Sequence, residues 1–498
     1  MKLHSMMLAG SATVALGLAA PAAAHAETAC GDLLKVTLPH AKVTKASEEM
    51  LGDKLICKVA VTSRPTADSD IRLELWIPAA SAWNGKFVQV GNGGFAGTVP
   101  TSQFARLVRA GYAVSGTDDG HQDPVGTNAS WALGHPEKVT DFGWRALKET
   151  TDASKALLAA KMGGKINRSY FIGCSDGGRE ALMEAQRFPN DFDGIVAGAP
   201  ANYMSQLFGL SAVQQQALAK PGGYLGPAQR DLLQKSALAQ CGGEAFIRDP
   251  MSCHFDPGKL ACKAGQTEGC LTAPQVASAK AIYEGHKDAS GKVVFPGYSP
   301  GAEAINGSWN AWITGPSQEM NSRAAGHQFS SNAFKYFGFQ DPNFDFLKMD
   351  MGGQYEGARK KMEAALDSPD PNLAAFKKHG GKLIQYHGWN DAAIPPRSSI
   401  RYYEDVRKTM GGDVGGFYKL YLIPGMLHCG GGVGPSNVDW VAALDSWVIE
   451  NKAPGDFTAV TGPGQTPGGP PSQVLCPYPG VAKKAGEAYA CTVAKTKG

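Results

Sequence analysis

Two cysteines stand beside two residues that could share a proton. Ser175 lies in Gly173-Cys174-Ser175-Asp176-Gly177-Gly178, and far downstream His428 is followed by Cys429. A serine nucleophile and its histidine base must approach to about 2.6–3.2 Å. Cysteines can be bridged only when their Cα atoms lie about 4.4–6.8 Å apart. Residues adjacent to a touching serine and histidine fall within that range, so the two demands agree. The pattern suggests a serine hydrolase whose nucleophile and base are covalently tied, and it requires a fold that closes a very long loop.

The other cysteines fit an oxidising destination. Lys2 gives a positive start, Met6 to Ala20 is apolar, and Ala24-His25-Ala26 offers a small-x-small cleavage pattern. Residues 1–26 are therefore expected to be an export leader, and the mature chain to begin near Glu27, secreted or periplasmic. All ten cysteines lie beyond that point. An even count in an exported chain implies disulfides rather than free thiols. No C-x-x-C pair and no paired histidines at zinc-finger spacing occur, so no metal site is expected from them. Counting alone leaves the connectivity open. No later stretch is long and apolar enough to span a membrane. The formal net charge of +3 gives no electrostatic case for nucleic acid or an anionic membrane.

The 498 residues suffice for one large domain or two ordinary ones, and 43% hydrophobic with 19% charged content reads as globular. Strand patterns at Ile71–Ile77, Lys86–Val90, Tyr112–Ser115, Ser169–Ile172 and Gly194–Ala197 alternate with helical ones at Asp141–Met162 and Gly178–Phe188. That alternation implies a mostly parallel sheet. The pattern breaks over residues 203–371, which carry Cys241, Cys253, Cys262 and Cys270 and the aromatics Trp309, Trp312, Phe329, Phe334, Tyr336, Phe337 and Phe339. This stretch is expected to be an inserted lid domain, because so many aromatics need burying. Strands resume at Lys382–Tyr386 and Lys419–Ile423, with a helix from Asn437 to Glu450. The catalytic domain is thus read as residues 27–202 and 372–498. Its Gly- and Pro-rich tail carries Cys476 and Cys491 and should need a disulfide to stay packed.

Gly173-x-Ser175-x-Gly177 matches the nucleophile elbow, in which the serine sits on a tight strand-to-helix turn. The base must then follow the serine, and the histidines beyond it include His254, His327, His379, His387 and His428. His387 and His428 both follow strands. The chain order Ser, Asp, His selects Asp391, on the loop after Lys382–Tyr386, and with it His428 as base. His387 is left as a packing or hydrogen-bonding residue. Asp391 would fix the imidazole tautomer and stabilise its charged form. Asp439 and Asp445 follow His428 and read as surface acids of the last helix. Oxyanion donors are expected at the N–H of Asp176 and in Gly91-Asn92-Gly93-Gly94, with Gly93 first and Gly94 close behind. The Asp176 carboxylate would lie near the site, either discouraging anionic substrates or assisting His428. Asp191-Phe192-Asp193-Gly194 leads into a strand and reads as a turn rather than a calcium loop.

These residues resemble the tannase and feruloyl esterase family, whose hallmark is a Cys-Ser, Asp, His-Cys set with the two cysteines bridged. The set maps onto Cys174-Ser175, Asp391 and His428-Cys429. Trp83-Asn84-Gly85-Lys86-Phe87, Thr117-Asp118-Asp119-Gly120-His121, Gly178-Arg179-Glu180-Ala181 and Tyr386-His387-Gly388-Trp389 also look like family segments. The resemblance implies an α/β-hydrolase core with a lid inserted between the serine and aspartate segments. It implies the pairs Cys30–Cys57, Cys174–Cys429, Cys241–Cys253, Cys262–Cys270 and Cys476–Cys491. It further implies a serine carboxylesterase acting without a cofactor on a small aromatic ester. The alternatives within the family are a feruloyl esterase or tannase type, or a terephthalate-monoester or general aryl esterase. A catalytically silent binding protein on the same scaffold is the alternative from another class, and the intact triad speaks against it. Oligomeric state is left open. Many relatives carry a calcium loop after the first lid cysteine, but in Cys241–Asp249 only Asp249 of the usual acids stands. Calcium takes about 6–8 oxygen ligands, so that site is expected to be lost or much weakened.

Overall fold

A computed structural model describes residue 1 and residues 28–486 and 488–493. Apart from Met1, the expected leader lies outside the described residues. A nine-stranded sheet forms the centre, built from β1 (Ala41–Leu51), β2 (Lys54–Ser63), β3 (Ile71–Pro78), β4 (Lys86–Val90), β5 (Ala113–Thr117), β6 (Arg168–Cys174), β7 (Gly194–Gly198), β10 (Lys382–Gly388) and β11 (Tyr418–Ile423). Its order is β1-β2-β3-β5-β4-β6-β7-β10-β11. β1, β2, β3 and β5 pair antiparallel in succession, and β5 through β11 pair parallel.

The parallel strands are buried on both faces, so they read as apolar runs whose alternate residues enter different cores. Phe87, Phe171, Ile195, Leu383 and Leu420 face one core, together with the helices Ala146–Met162, Asp176–Arg187 and Pro396–Thr409. Val88, Tyr170, Val196, Ile384 and Tyr421 face the other, with Phe104–Arg109 and Trp440–Glu450. Each fully buried Phe or Ile contributes roughly 1.5–3 kcal/mol. The layers therefore fix the strand ends, and with them the loops that follow Cys174, Gly388 and Ile423.

Asp445 is not a surface acid as the sequence suggested. It accepts from Lys86 Nζ at 2.6 Å and Tyr170 OH at 2.5 Å, which ties the last helix to β4 and β6. Asp439 caps that helix by accepting from the Ala442 N–H at 3.1 Å, so the helix starts at Trp440 rather than Asn437.

Between β7 and β10 the chain leaves the sheet. This stretch holds the helices Met204–Leu218, Pro227–Cys241, Ala273–Glu284 and Gly353–Leu366, and a small ladder of β8 (His286–Lys287) with β9 (Val293–Phe295). Phe334, Phe337, Phe346 and Tyr355 from it share a core with Phe95 and Phe142 of the sheet region. Two disulfides, Cys241–Cys253 and Cys262–Cys270, lie within it. After β11 the tail forms two ladders, β12 (Phe457–Val460) with β13 (Ser472–Leu475) and β14 (Gly480–Ala485) with β15 (Ala488–Val493). Cys476–Cys491 closes the tail, and Cys30–Cys57 pins the first turn to β2. No helix among the described residues is long and apolar enough to cross a membrane.

Candidate active site

β6 ends at Cys174 and the next helix begins at Asp176, so Ser175 makes the turn alone at φ 67° and ψ −121°. Such a conformation in a residue with a side chain stores about 1–3 kcal/mol of strain. Close backbone approach explains its glycines. A Cβ on Gly173 would lie 2.3 Å from Gly177 O, one on Gly177 2.7 Å from Asn92 O, and one on Gly178 2.2 Å from Gly198 O. The Ser175 N–H donates to Gly198 O at 3.0 Å, and the Ala201 N–H donates to Ser175 O at 3.0 Å. Strand and loop therefore hold the elbow from both sides.

Asp391 follows β10 and His428 follows β11, adjacent strands whose ends lie side by side. His428 Nδ1 lies 2.7 Å from Asp391 Oδ2. Asp391 Oδ1 accepts the N–H groups of Ala393 at 2.7 Å and Ile394 at 2.9 Å. Burial pushes the Asp391 carboxyl up, but the His428 charge and hydrogen bonds from His387 and His428 hold it well below the usual carboxylate range.

His387 is the second clamp on that carboxylate. Its Nε2 lies 3.0 Å from Ile394 O and 3.2 Å from Asp391 Oδ2, both acceptors. Its Nδ1 lies 2.7 Å from Ser399 Oγ, which also accepts from Gln385 Nε2 at 2.6 Å. Ser399 therefore donates to Nδ1, and His387 carries its proton on Nε2. The sequence offered no signal for Ser399 or Gln385 in this chain of bonds.

Cys174 is bridged to Cys429, with Cα atoms 5.9 Å apart across a separation of 255 residues. Cys429 takes φ 60°, and its Sγ lies 3.7 Å from His428 Nε2, the ring nitrogen turned away from Asp391. The serine elbow, the bridge, the imidazole and the carboxylate are thus contiguous.

A narrow pocket opens at Ser175. Gly94 lines it, whereas Gly93 is its neighbour in the loop. Its wall is largely apolar, with Phe208, Trp312, Phe329 and Ile394. Trp312 meets the His428 ring edge-on at 5.0 Å and stacks on Phe329 at 6.4 Å. Trp309 and Phe334 are buried in cores. Gln214, 2% exposed, also lines the cavity, and its Nε2 has no hydrogen-bond partner.

The Asp176 carboxylate is not available to substrate or to His428. It is buried and paired with Arg179 Nε at 2.5 Å. Its N–H is the first of the helix and has no partner within it. Asp119, Asp176 and Glu180 form the one group among the described residues whose acidic atoms lie close enough to hold a metal, within 4.8 Å of one another. Arg179 already supplies a cation there. The stretch after Cys241 joins no such group among the described residues.

Comparison with known proteins agrees with this architecture. The family described as tannase and feruloyl esterase matches residues 57–497. An uncharacterized esterase of Xanthomonas campestris is 34% identical over 514 aligned residues, covering 92% of this chain and 88% of its own. A probable feruloyl esterase B-1 of Aspergillus flavus is 30% identical over 410, covering 80% and 75%. Among solved structures, feruloyl esterase B from Aspergillus oryzae superposes with a TM-score of 0.83 at 26% identity, covering 93% of this chain and 99% of its own. Tannin acyl hydrolase from Aspergillus niger shares the fold, with a TM-score of 0.70 at 24% identity and coverage of 91% and 90%. The chain belongs to the tannase and feruloyl esterase family of carboxylic ester hydrolases.

Proposed function

We propose that the chain is an exported serine esterase that hydrolyses esters of phenolic or other aromatic acids. In this reading an α/β-hydrolase core, residues 27–202 and 372–498, carries the triad, and residues 203–371 form a lid over it. The observation that carries it is the His428–Asp391 pair, 2.7 Å apart, held by Cys174–Cys429 against the serine elbow.

Ser175 Oγ attacks the ester carbonyl carbon while its proton passes to His428 Nε2. The carbonyl π electrons move onto oxygen, where the N–H groups of Asp176 and Gly93, with Gly94 beside it, stabilise the charge. Asp391 stabilises the imidazolium and keeps the other proton on Nδ1. Collapse expels the alcohol, which takes the proton from His428, and leaves an acyl-enzyme. Water repeats the sequence, releasing the acid and restoring Ser175.

The aromatic preference is supported by the cavity wall of Trp312, Phe329 and Phe208, and by relatives named feruloyl esterases. Gln214 Nε2 offers a donor to a phenolic oxygen in that wall. Five disulfides and the leader-like start support an extracytoplasmic destination.

The test measures hydrolysis of methyl ferulate, methyl gallate and a terephthalate monoester by wild type and Ser175→Ala. Turnover of a phenolic ester by wild type alone is expected. Turnover of none of them, or equal turnover by the variant, would overturn the proposal.

A further inference from the structure

Two buried carboxyl groups beneath the loop after β4 have no part in the steps above. Asp119 and Glu180 are both fully buried, and one oxygen of each lies within 4.8 Å of the other and of an Asp176 oxygen. Asp176 is answered by Arg179, whose guanidinium also donates to the carbonyls of Phe142, Gly143 and Leu366. Both Asp119 oxygens and Glu180 Oε1 have no donor. Glu180 Oε2 accepts the Asn92 N–H at 2.8 Å.

Two dry carboxylates so close cannot both carry charge. A proton on one turns it into a donor to the other and gives a partner to two of the three orphaned oxygens. Burial, with Glu180 and Asp176 adding, pushes Asp119 well above its ordinary range, while Glu180 is pushed up to about 7. Glu180 already accepts the Asn92 N–H while Asp119 accepts nothing, so the proton is assigned to Asp119 and Glu180 is the acceptor.

The loop beside them is fixed through Asn92. Its N–H goes to Glu180, its carbonyl accepts the Gly177 N–H at 2.9 Å, and its Nδ2 donates to Thr117 O at 2.5 Å. Gly93 and Gly94 follow directly. A Cβ on Gly91 would lie 2.5 Å from Glu180 Oε2, so the loop is seated on this side chain.

We propose that Asp119 and Glu180 are positioning residues of the oxyanion loop: a proton on Asp119 bridges it to Glu180, and Glu180 holds Asn92 in place. This rests on the reading of Ser175 as nucleophile and of that loop as an oxyanion donor. Glu184, one turn along the helix from Glu180, is likewise buried without a donor, and burial pushes its carboxyl well above the ordinary range. It touches neither Asn92 nor Asp119 through a hydrogen bond, and the remaining acids nearby are engaged. Asp118 accepts from the N–H groups of Arg72 and Gly120 and from Gln122, and Asp141, packed on Gly120, pairs with Arg145. His121, stacked on Trp131, is pushed down to about 4 by burial and is neutral. A raised carboxyl keeps its proton at low pH and loses it as pH rises, so the device fails on the alkaline side.

The experiment is a pH profile of kcat and KM on methyl ferulate for wild type, Asp119→Asn, Glu180→Gln and Glu180→Ala. Ser175→Ala serves as the blank. An asparagine suits the positive φ of Asp119, 62°, and its amide donates to Glu180 at every pH. A glutamine in place of Glu180 accepts from Asn92 and donates to Asp119. Both variants should keep neutral-pH activity and lose the alkaline fall seen in wild type. Glu180→Ala should lower kcat by about 10- to 100-fold with little change in KM, the scale of a small misplacement of catalytic groups. An unchanged alkaline fall in both amide variants, or wild-type kcat in Glu180→Ala, overturns the proposal. If the variants do not fold, infrared difference spectra of wild type decide. A protonated-carboxyl band lost together with kcat on alkalinisation is expected, and its absence at neutral pH overturns the proposal. Activity persisting in Ser175→Ala would instead sink the underlying reading.

Discussion

The substitution Asp391→Asn tests the proton geometry most sharply, because the structure dictates how the amide must sit. Oδ1 accepts two backbone N–H groups, from Ala393 at 2.7 Å and Ile394 at 2.9 Å. An NH₂ cannot take that place, so the amide oxygen stays there and the NH₂ occupies the position of Oδ2. There it faces His428 Nδ1 at 2.7 Å and His387 Nε2 at 3.2 Å. A donor opposite Nδ1 forces that nitrogen to accept, and the imidazole proton moves to Nε2. Nε2 then cannot take the proton of Ser175. The same tautomer error in a serine protease triad lowers kcat about 10⁴-fold, which at 1.36 kcal/mol per decade is about 5.4 kcal/mol. The His387 N–H then faces a second donor and keeps Ile394 O, 3.0 Å away, as its acceptor. Because the wild-type carboxyl is held below its ordinary range, it contributes stability above that range that is lost as pH falls through its folded value. The Asp391→Asn variant would lack this acid dependence. The assay is steady-state hydrolysis of methyl ferulate with circular dichroism to show that the variant folds. Expected are a kcat loss near 10⁴-fold and a KM within a few-fold. A folded variant within tenfold of wild-type kcat would refute the tautomer argument.

Removing the bridge, as Cys174→Ala with Cys429→Ala, should lower kcat by loosening the serine–histidine approach. It should also lower the melting temperature, since the cross-link spans 255 residues and chain entropy assigns it about 5 kcal/mol. Full activity in the folded double variant would show that the bridge is structural only. Arg179→Met strands the buried Asp176 carboxylate, and a destabilisation of about 3–5 kcal/mol in denaturant melts is expected. An unchanged midpoint would contradict the pairing. Gln214→Leu should lower kcat/KM for methyl ferulate about tenfold relative to methyl cinnamate, the scale of one hydrogen bond. An unaltered ratio would count against a phenolic contact there.

The serine turn and the Asp391–His428 pair were legible in the sequence because they depend on local patterns and chain order. Gly173-x-Ser175-x-Gly177 needed only the strand before it and the helix after it. The helix nevertheless starts at Asp176, not Gly178, because the paired glycines serve close approach to Asn92 and Gly198 rather than a break. The hairpin of β1 and β2 was missed because Val43 is the only buried residue of β1. Its outer face carries Lys45 and Lys58, which both pair with Glu49. The buried roles of Asp119, Glu180, Asp445 and Ser399 were invisible for a different reason. Each is set by a partner distant in sequence, and an isolated acid or serine reads as surface until its partner is placed.

The proposed chemistry depends on Ser175 being the nucleophile. Incubation with a fluorophosphonate, digestion and mass spectrometry locate the adduct directly. A single adduct on the Ser175 peptide is predicted, absent from Ser175→Ala and slowed in His428→Ala. No adduct in the folded wild type, or one on another residue, would contradict the account.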